Sequence, residues 1–125
     1  MDWMSIRHFT PQELACKCGK CGNKENMDLE FMSMLDELRG RLGRPLTITS
    51  GFRCPEHPSE VNKSMPGAHS AGTAADIAVG SGRERYEIMK EAFAMGFVGI
   101  APAKGFVHVD FGHPSPDMRP SSWTY

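Results

Sequence analysis

Between positions 54 and 72 the chain carries prolines at 55, 58 and 66 and glycines at 67 and 72, too many breakers for a long helix or strand. The runs on either side read as strands. Leu46-Thr47-Ile48-Thr49-Ser50 alternates apolar and hydroxylated residues, and Ala74-Ala75-Asp76-Ile77-Ala78-Val79 is a second apolar run stopped by Gly80-Ser81-Gly82. The long irregular connection between them is where function is expected, because binding and catalytic groups concentrate in such loops.

Helices are expected before and after this pair. Thr10-Pro11-Gln12-Glu13 is a capping-box pattern with proline at the first helical position, so a short helix or turn opens here. From 27 to 42, Phe31, Leu35, Leu38 and Leu42 recur at helical spacing, with acids early, arginines late, and Gly43 and Pro45 as the stop. A further helix is predicted over 83–95, with Tyr86, Met89 and Phe93 on one stripe and Gly96 at its end. Residues 97–100 and 106–111 read as short strands joined by a hairpin loop, and the tail, with prolines at 114, 116 and 120, is expected to be irregular. This order predicts an α+β fold with a small, largely antiparallel sheet flanked by helices.

Composition narrows the function. With 14 Lys+Arg against 15 Asp+Glu, the formal charge of −1 gives none of the basic excess that binds nucleic acid. At 40% hydrophobic and 23% charged, a chain of 125 residues has enough apolar material for one core, and one domain over 1–125 is expected. No run approaches the ~20 apolar residues of a membrane-spanning helix, so no membrane insertion is expected. Nothing in the pattern sets an oligomeric state.

The chain has four cysteines, three of them crowded in Cys16-Lys17-Cys18-Gly19-Lys20-Cys21 and the last at Cys54. Three readings are open: reduced thiols in a turn, a structural zinc knuckle completed by Cys54 or a histidine, or a disulfide from the cluster to Cys54. A separate set lies at loop-to-strand transitions: His69 and Asp76, and His108 with Asp110. Two histidines and an aspartate meet the three-ligand requirement of a catalytic zinc site. The ordinary alternative is that Asp76 caps a turn and the histidines are satisfied polar groups.

Taken together, Ser50-Gly51-Phe52-Arg53, then His69 to Asp76 in the form His-x-x-Gly-x-Ala-x-Asp, then Phe106-Val107-His108-Val109-Asp110 resemble the zinc D-alanyl-D-alanine carboxypeptidases. These belong with the L-alanyl-D-glutamate endopeptidases of phage lysins in one superfamily, to which the hedgehog signalling fold is related. The resemblance covers residues 46–111, and the 1–26 segment with its cysteine loop is similar to the N-terminal cap of small phage and prophage members.

The resemblance implies a hedgehog-like α+β fold and a zinc metallopeptidase that hydrolyses a peptide bond in bacterial wall (peptidoglycan) peptides. It implies a carboxypeptidase or an endolysin-type endopeptidase, with zinc held by His69, Asp76 and His108. Arg53 matches the family's arginine, which binds the scissile carbonyl or a carboxylate and stabilises the oxyanion; the planar guanidinium suits that task. Arg53 is also expected to face the cleft. Asp110, on the strand face of His108, is the candidate for the remaining carboxylate work, either as general base or as an acceptor that orients a ligand.

The sequence departs from better-studied members, which carry an acid three residues before the last histidine ligand or a histidine two before it. Gly105 and Phe106 stand at those positions. The candidates for the general base are Asp110, His113, Glu56 and His57, in that order. The departure also supports an alternative, a non-catalytic zinc-bearing module of the same fold in a virion or wall-binding role. A third reading is a zinc-knuckle interaction protein built on Cys16, Cys18, Cys21 and Cys54. Residues 1–8 carry an acid and basic residues with no apolar region behind them, so no secretory signal is expected. A phage product made in the cytoplasm would reach the wall by holin-type release or virion delivery.

Overall fold

The computed structural model describes residues 3–61 and 67–125. Five strands, β1 (Ile48–Ser50), β2 (Ala74–Ala78), β3 (Gly99–Pro102), β4 (Phe106–Asp110) and β5 (Ser121–Ser122), form one sheet in the order β1-β2-β4-β3-β5. Every pairing is antiparallel except β3 with β5. With helices α1 (Pro11–Leu14), α2 (Leu29–Leu42) and α3 (Gly82–Met95), this is the expected α+β architecture.

Helix ends follow the capping residues. Glu13 accepts from the backbone N–H of Thr10 at 2.9 Å, closing the box that opens the single turn of α1. The Asp28 side chain accepts from the Phe31 N–H at 3.0 Å, so α2 begins at Leu29, two residues later than its apolar pattern suggests. Gly43 and Gly96 end α2 and α3 in the left-handed conformation.

Strand alternation sorts the sheet into two faces. Ala75, Ile77, Ile100, Val107 and Val109 join Phe31, Leu35, Leu38, Ile88 and Ala92 in one apolar core. Asp76, His108 and Asp110 alternate with those strand residues and so stand on the opposite face. Helix α3 is turned differently from the expected stripe: Ile88 and Ala92 are buried, while Tyr86 and Phe93 are 66% and 57% exposed. Arg85, on the inward side, donates to the carbonyls of Ala103 (3.2 Å) and Lys104 (2.8 Å), which ties that face to the β3–β4 hairpin.

The tail also departs from expectation. Ser121 donates its N–H to the Val98 carbonyl at 2.9 Å and the Ser122 hydroxyl to the Ile100 carbonyl at 2.6 Å, adding a strand too short to leave a pattern in sequence. The connection expected over 54–72 is a series of turns where described; Pro66 lies outside the described residues. Among the described residues no helix is long and apolar enough to cross a membrane.

Candidate metal centre

Asp76 and His108 are not at loop-to-strand transitions, as the sequence suggests, but at the middle of β2 and β4, where they share the open face with the end of β1. Asp76 and His108 are direct partners across β2 and β4, and Ser50 sits opposite Asp76 on the other side. The β1 register slips between Ile48 and Ser50, a bulge of the kind that bends a strand where it leaves a sheet. The chain then enters Gly51, where an added Cβ would lie 2.6 Å from the Leu14 carbonyl oxygen, so only glycine permits this approach. His69 arrives from the turn before β2. That turn is closed by Gly72 at φ +77° and pinned by the Asp28 N–H to the Gly72 carbonyl at 2.9 Å.

His69, Asp76 and His108 are each no more than 5% exposed, and one ligand atom from each lies within 4.8 Å of the others. A hydrogen bond fixes the tautomer of His69. His69 Nδ1 is 2.8 Å from the Gly51 carbonyl, which can only accept, so the proton is on Nδ1 and Nε2 carries a lone pair. His108 stands between two carboxylates, with Nε2 2.6 Å from Asp110 Oδ2 and Nδ1, the inner nitrogen, 3.2 Å from Asp76 Oδ1.

Both inner nitrogens lie 3.2 Å from the same oxygen, Asp76 Oδ1. His69 Nε2 is buried without a hydrogen-bond partner, close to Asp76 but off the line a hydrogen bond needs. The Asp76 oxygen faces an unpartnered lone pair on His69 Nε2 and the inner nitrogen of His108, a grouping that a proton on His108 Nδ1 or a metal cation between the three atoms would relieve. This donor set fits a divalent cation such as zinc, and the acceptor behind each ring is the arrangement that orients histidine ligands.

Burial and the neighbouring charges pull the two rings in opposite directions. Burial pushes the His69 imidazole below its ordinary range. Burial opposes charge on His108 as well, but Asp110 and Asp76 outweigh it and hold that ring above the ordinary range. Against the same burial penalty, His108 and His69 hold Asp76 well below the usual carboxylate range, and His108 with Arg119 does so for Asp110.

Around the centre lies a cleft of about 440 Å³, bordered by Arg53, His69, His108, His113, Arg119, Trp123 and Tyr125. Arg53 is more enclosed than expected, its side chain 17% exposed. It donates to Ser50 Oγ at 3.1 Å and to Asp76 Oδ2 at 3.3 Å, and lies 3.6 Å from Glu60 Oε2. Asp110 is fully buried, closer to His108 than strand rise alone suggests. Arg119 grips both of its oxygens, at 2.9 Å from Nε to Oδ1 and 2.6 Å from Nη2 to Oδ2. Of the other base candidates, His113 borders the cleft and accepts the Ser115 N–H at Nδ1 (2.9 Å), Glu56 is exposed, and His57 accepts the Ser59 N–H at 3.0 Å.

Sequence reasoning missed Glu60, Arg119, Trp123 and Tyr125. Glu60 is buried and accepts the Ser70 hydroxyl at 2.8 Å, bracing the turn that carries His69. Trp123 packs on His108 with ring centroids 5.0 Å apart, and the Arg119 guanidinium lies 4.6 Å over its ring. These contacts depend on the tail pairing with β3, for which the sequence has no periodic signal. The four cysteines also come together, at a second place described below.

Two imidazoles and a carboxylate on an α+β sheet, beside Arg53 and His113, form a donor set that could hold a metal ion. The model of the family described as Peptidase M15 matches residues 7–110, and the chain belongs to that family, the zinc D-alanyl-D-alanine carboxypeptidase type. No curated protein matches the chain.

Proposed function

We propose that this protein is a zinc peptidase acting on bacterial wall peptides, with the metal held by His69 Nε2, an Asp76 oxygen and His108 Nδ1. The observation that carries the reading is the convergence of His69 Nε2, buried without a hydrogen-bond partner, and His108 Nδ1 on one buried Asp76 oxygen. Zinc at such a site supplies Lewis acidity toward a carbonyl and lowers the pKa of water.

The chain's own residues do the rest. The Gly51 carbonyl keeps His69 in the ligand tautomer, and Asp110 is the acceptor behind His108. Arg53 holds the second oxygen of Asp76 and borders the cleft, where its remaining donors meet the carbonyl oxygen as charge develops on it. Asp110 acts as a positioning residue, because His108 and Arg119 engage its oxygens and it is sealed from the cleft. Proton exchange with the substrate falls to His113, the base candidate that borders the cleft and is not sealed behind a ligand.

The test is elemental analysis of the purified protein beside mass spectrometry of isolated wall peptides after incubation. Release of D-alanine identifies a carboxypeptidase and internal cleavage an endopeptidase. A zinc-loaded protein that leaves every wall peptide intact overturns the catalytic reading in favour of the non-catalytic module that Gly105 suggests.

A further inference from the structure

We propose that Cys16, Cys18, Cys21 and Cys54 bind a second zinc ion in a closed, structural thiolate site that fastens the N-terminal loop to the segment carrying Arg53. The proposal stands on geometry separate from the histidine centre. One Sγ from each cysteine lies within 4.8 Å of all the others, with Cys18 to Cys54 at 3.4 Å and Cys18 to Cys21 at 3.5 Å. Four thiolates around a zinc at Zn–S of about 2.3 Å stand ~3.8 Å apart at the edges of the tetrahedron. The spacing matches a metal-sized gap.

Backbone N–H groups are aimed at three of the four sulfurs. Lys20 N–H points at Cys18 Sγ (3.3 Å), Lys24 N–H at Cys21 Sγ (3.4 Å) and Cys54 N–H at Cys16 Sγ (3.3 Å). A neutral thiol is a weak acceptor, whereas a thiolate draws hydrogen bonds strongly. Three N–H groups reach three sulfurs because Gly19, Gly22 and Asn23 adopt φ of 78°, 72° and 59°, turning the loop back on itself twice. An apolar cluster of reduced thiols needs neither the turns nor the donors.

Disulfides account for the cluster less well. All four cysteines are free, and Cys18 is as near to Cys21 as to Cys54, so no pairing is singled out. Four protein sulfurs leave no position for substrate, which marks a structural site. Cys16 also donates its N–H to the Lys24 carbonyl at 2.7 Å, and Phe52 donates to the Leu14 carbonyl at 2.8 Å. An ion bridging Cys54 to this loop therefore holds residues 51–54 from both ends. Those residues contain the Gly51 carbonyl that orients His69 and the guanidinium of Arg53.

The experiment uses the full chain, purified under reducing conditions, and its His69→Ala/His108→Ala variant. Elemental analysis is expected to find two zinc ions per chain in the first and one in the second. The cobalt-exchanged double variant is expected to show the near-ultraviolet sulfur-to-cobalt charge-transfer band that a nitrogen and oxygen site lacks. Cys21→His, which keeps a tetrahedral ligand at the half-buried rim, is expected to retain that metal, and Cys21→Ala to lose it. A double variant with no zinc and four reactive thiols overturns the proposal, as do iron in place of zinc or an unreduced mass four hydrogens low. If the histidine centre binds nothing, the wild type itself carries one ion with the thiolate signature, so the two readings fail separately.

Discussion

The two clusters of candidate ligands solve opposite electrostatic problems. At the sheet, the ligands include two imidazoles that must present lone pairs, and each ring has an acceptor behind it: the Gly51 carbonyl for His69 and Asp110 for His108. At the cysteine loop the ligands are anionic when they bind, and the surrounding groups are donors, the N–H groups of Lys20, Lys24 and Cys54. The first cluster is placed by strand register and opens on a cleft; the second is placed by left-handed turns and uses all its positions on protein. If both clusters take zinc, the difference to look for is in open positions: three protein ligands beside a cleft leave one for substrate, and four sulfurs leave none.

The largest effect that separates the clusters comes from removing imidazoles. His69→Ala and His108→Ala are each expected to abolish wall-peptide hydrolysis and zinc binding at the sheet, while circular dichroism stays close to wild type. The helices and the apolar sheet face form their core without those rings. Full zinc occupancy with both rings removed would sink the ligand assignment.

Next in size is Arg53→Lys. The lysine keeps a charge near Asp76 and Glu60 but loses the fork that reaches Ser50, Asp76 and the cleft together. Zinc content is expected to hold while kcat/KM falls by roughly 10²–10³-fold, the cost of one oxyanion donor. Unchanged turnover removes Arg53 from the reaction and leaves it as a brace for Asp76.

How much of this was legible in the sequence follows from the range of the forces involved. Helices α2 and α3 and the strands on either side of the long connection follow from local spacing and from the stops at Gly43 and Gly96, while the order of the strands in the sheet, set by contacts distant in sequence, does not. The residues of the metal centre were legible as a resemblance, since His69, Asp76 and His108 fall in a recurring pattern. The stripe on α3 was not, because adjacent stripes share one period and local spacing does not say which of them meets the core; Ile88 and Ala92 do, with Arg85 bonded to the hairpin. Glu60, Arg119 and Trp123 were invisible for a related reason: each acts through one contact across the fold, and a two-residue strand leaves no period to read.

The acceptor behind His108 is the next point at which to press the comparison. Asp110→Asn keeps the shape and removes the charge, so Nε2 loses its carboxylate partner. Zinc affinity at the sheet is expected to fall by about 10–100-fold, as it does when such partners are altered. Equilibrium competition against a metallochromic chelator measures this, with the cysteine site as the internal reference. A large loss of kcat with zinc affinity unchanged would make Asp110 the general base instead.

The smallest expected effect lies one residue further out, at Arg119. Its guanidinium grips both oxygens of Asp110 and stacks on Trp123, which in turn packs against His108. Arg119→Lys retains a positive charge but not the planar fork, so Asp110 stays charged while its carboxylate is free to rotate. His108 keeps an acceptor, less well aimed, and the loss of zinc affinity should stay below the roughly tenfold lower bound for a direct partner. If the acceptor behind the ring sets this site's chemistry, Asp110→Asn and Arg119→Lys combined should cost little more than Asp110→Asn alone, since the arginine acts through the carboxylate. Additive losses in that double variant would show that Arg119 reaches the metal centre by another route, through Trp123 and the wall of the cleft.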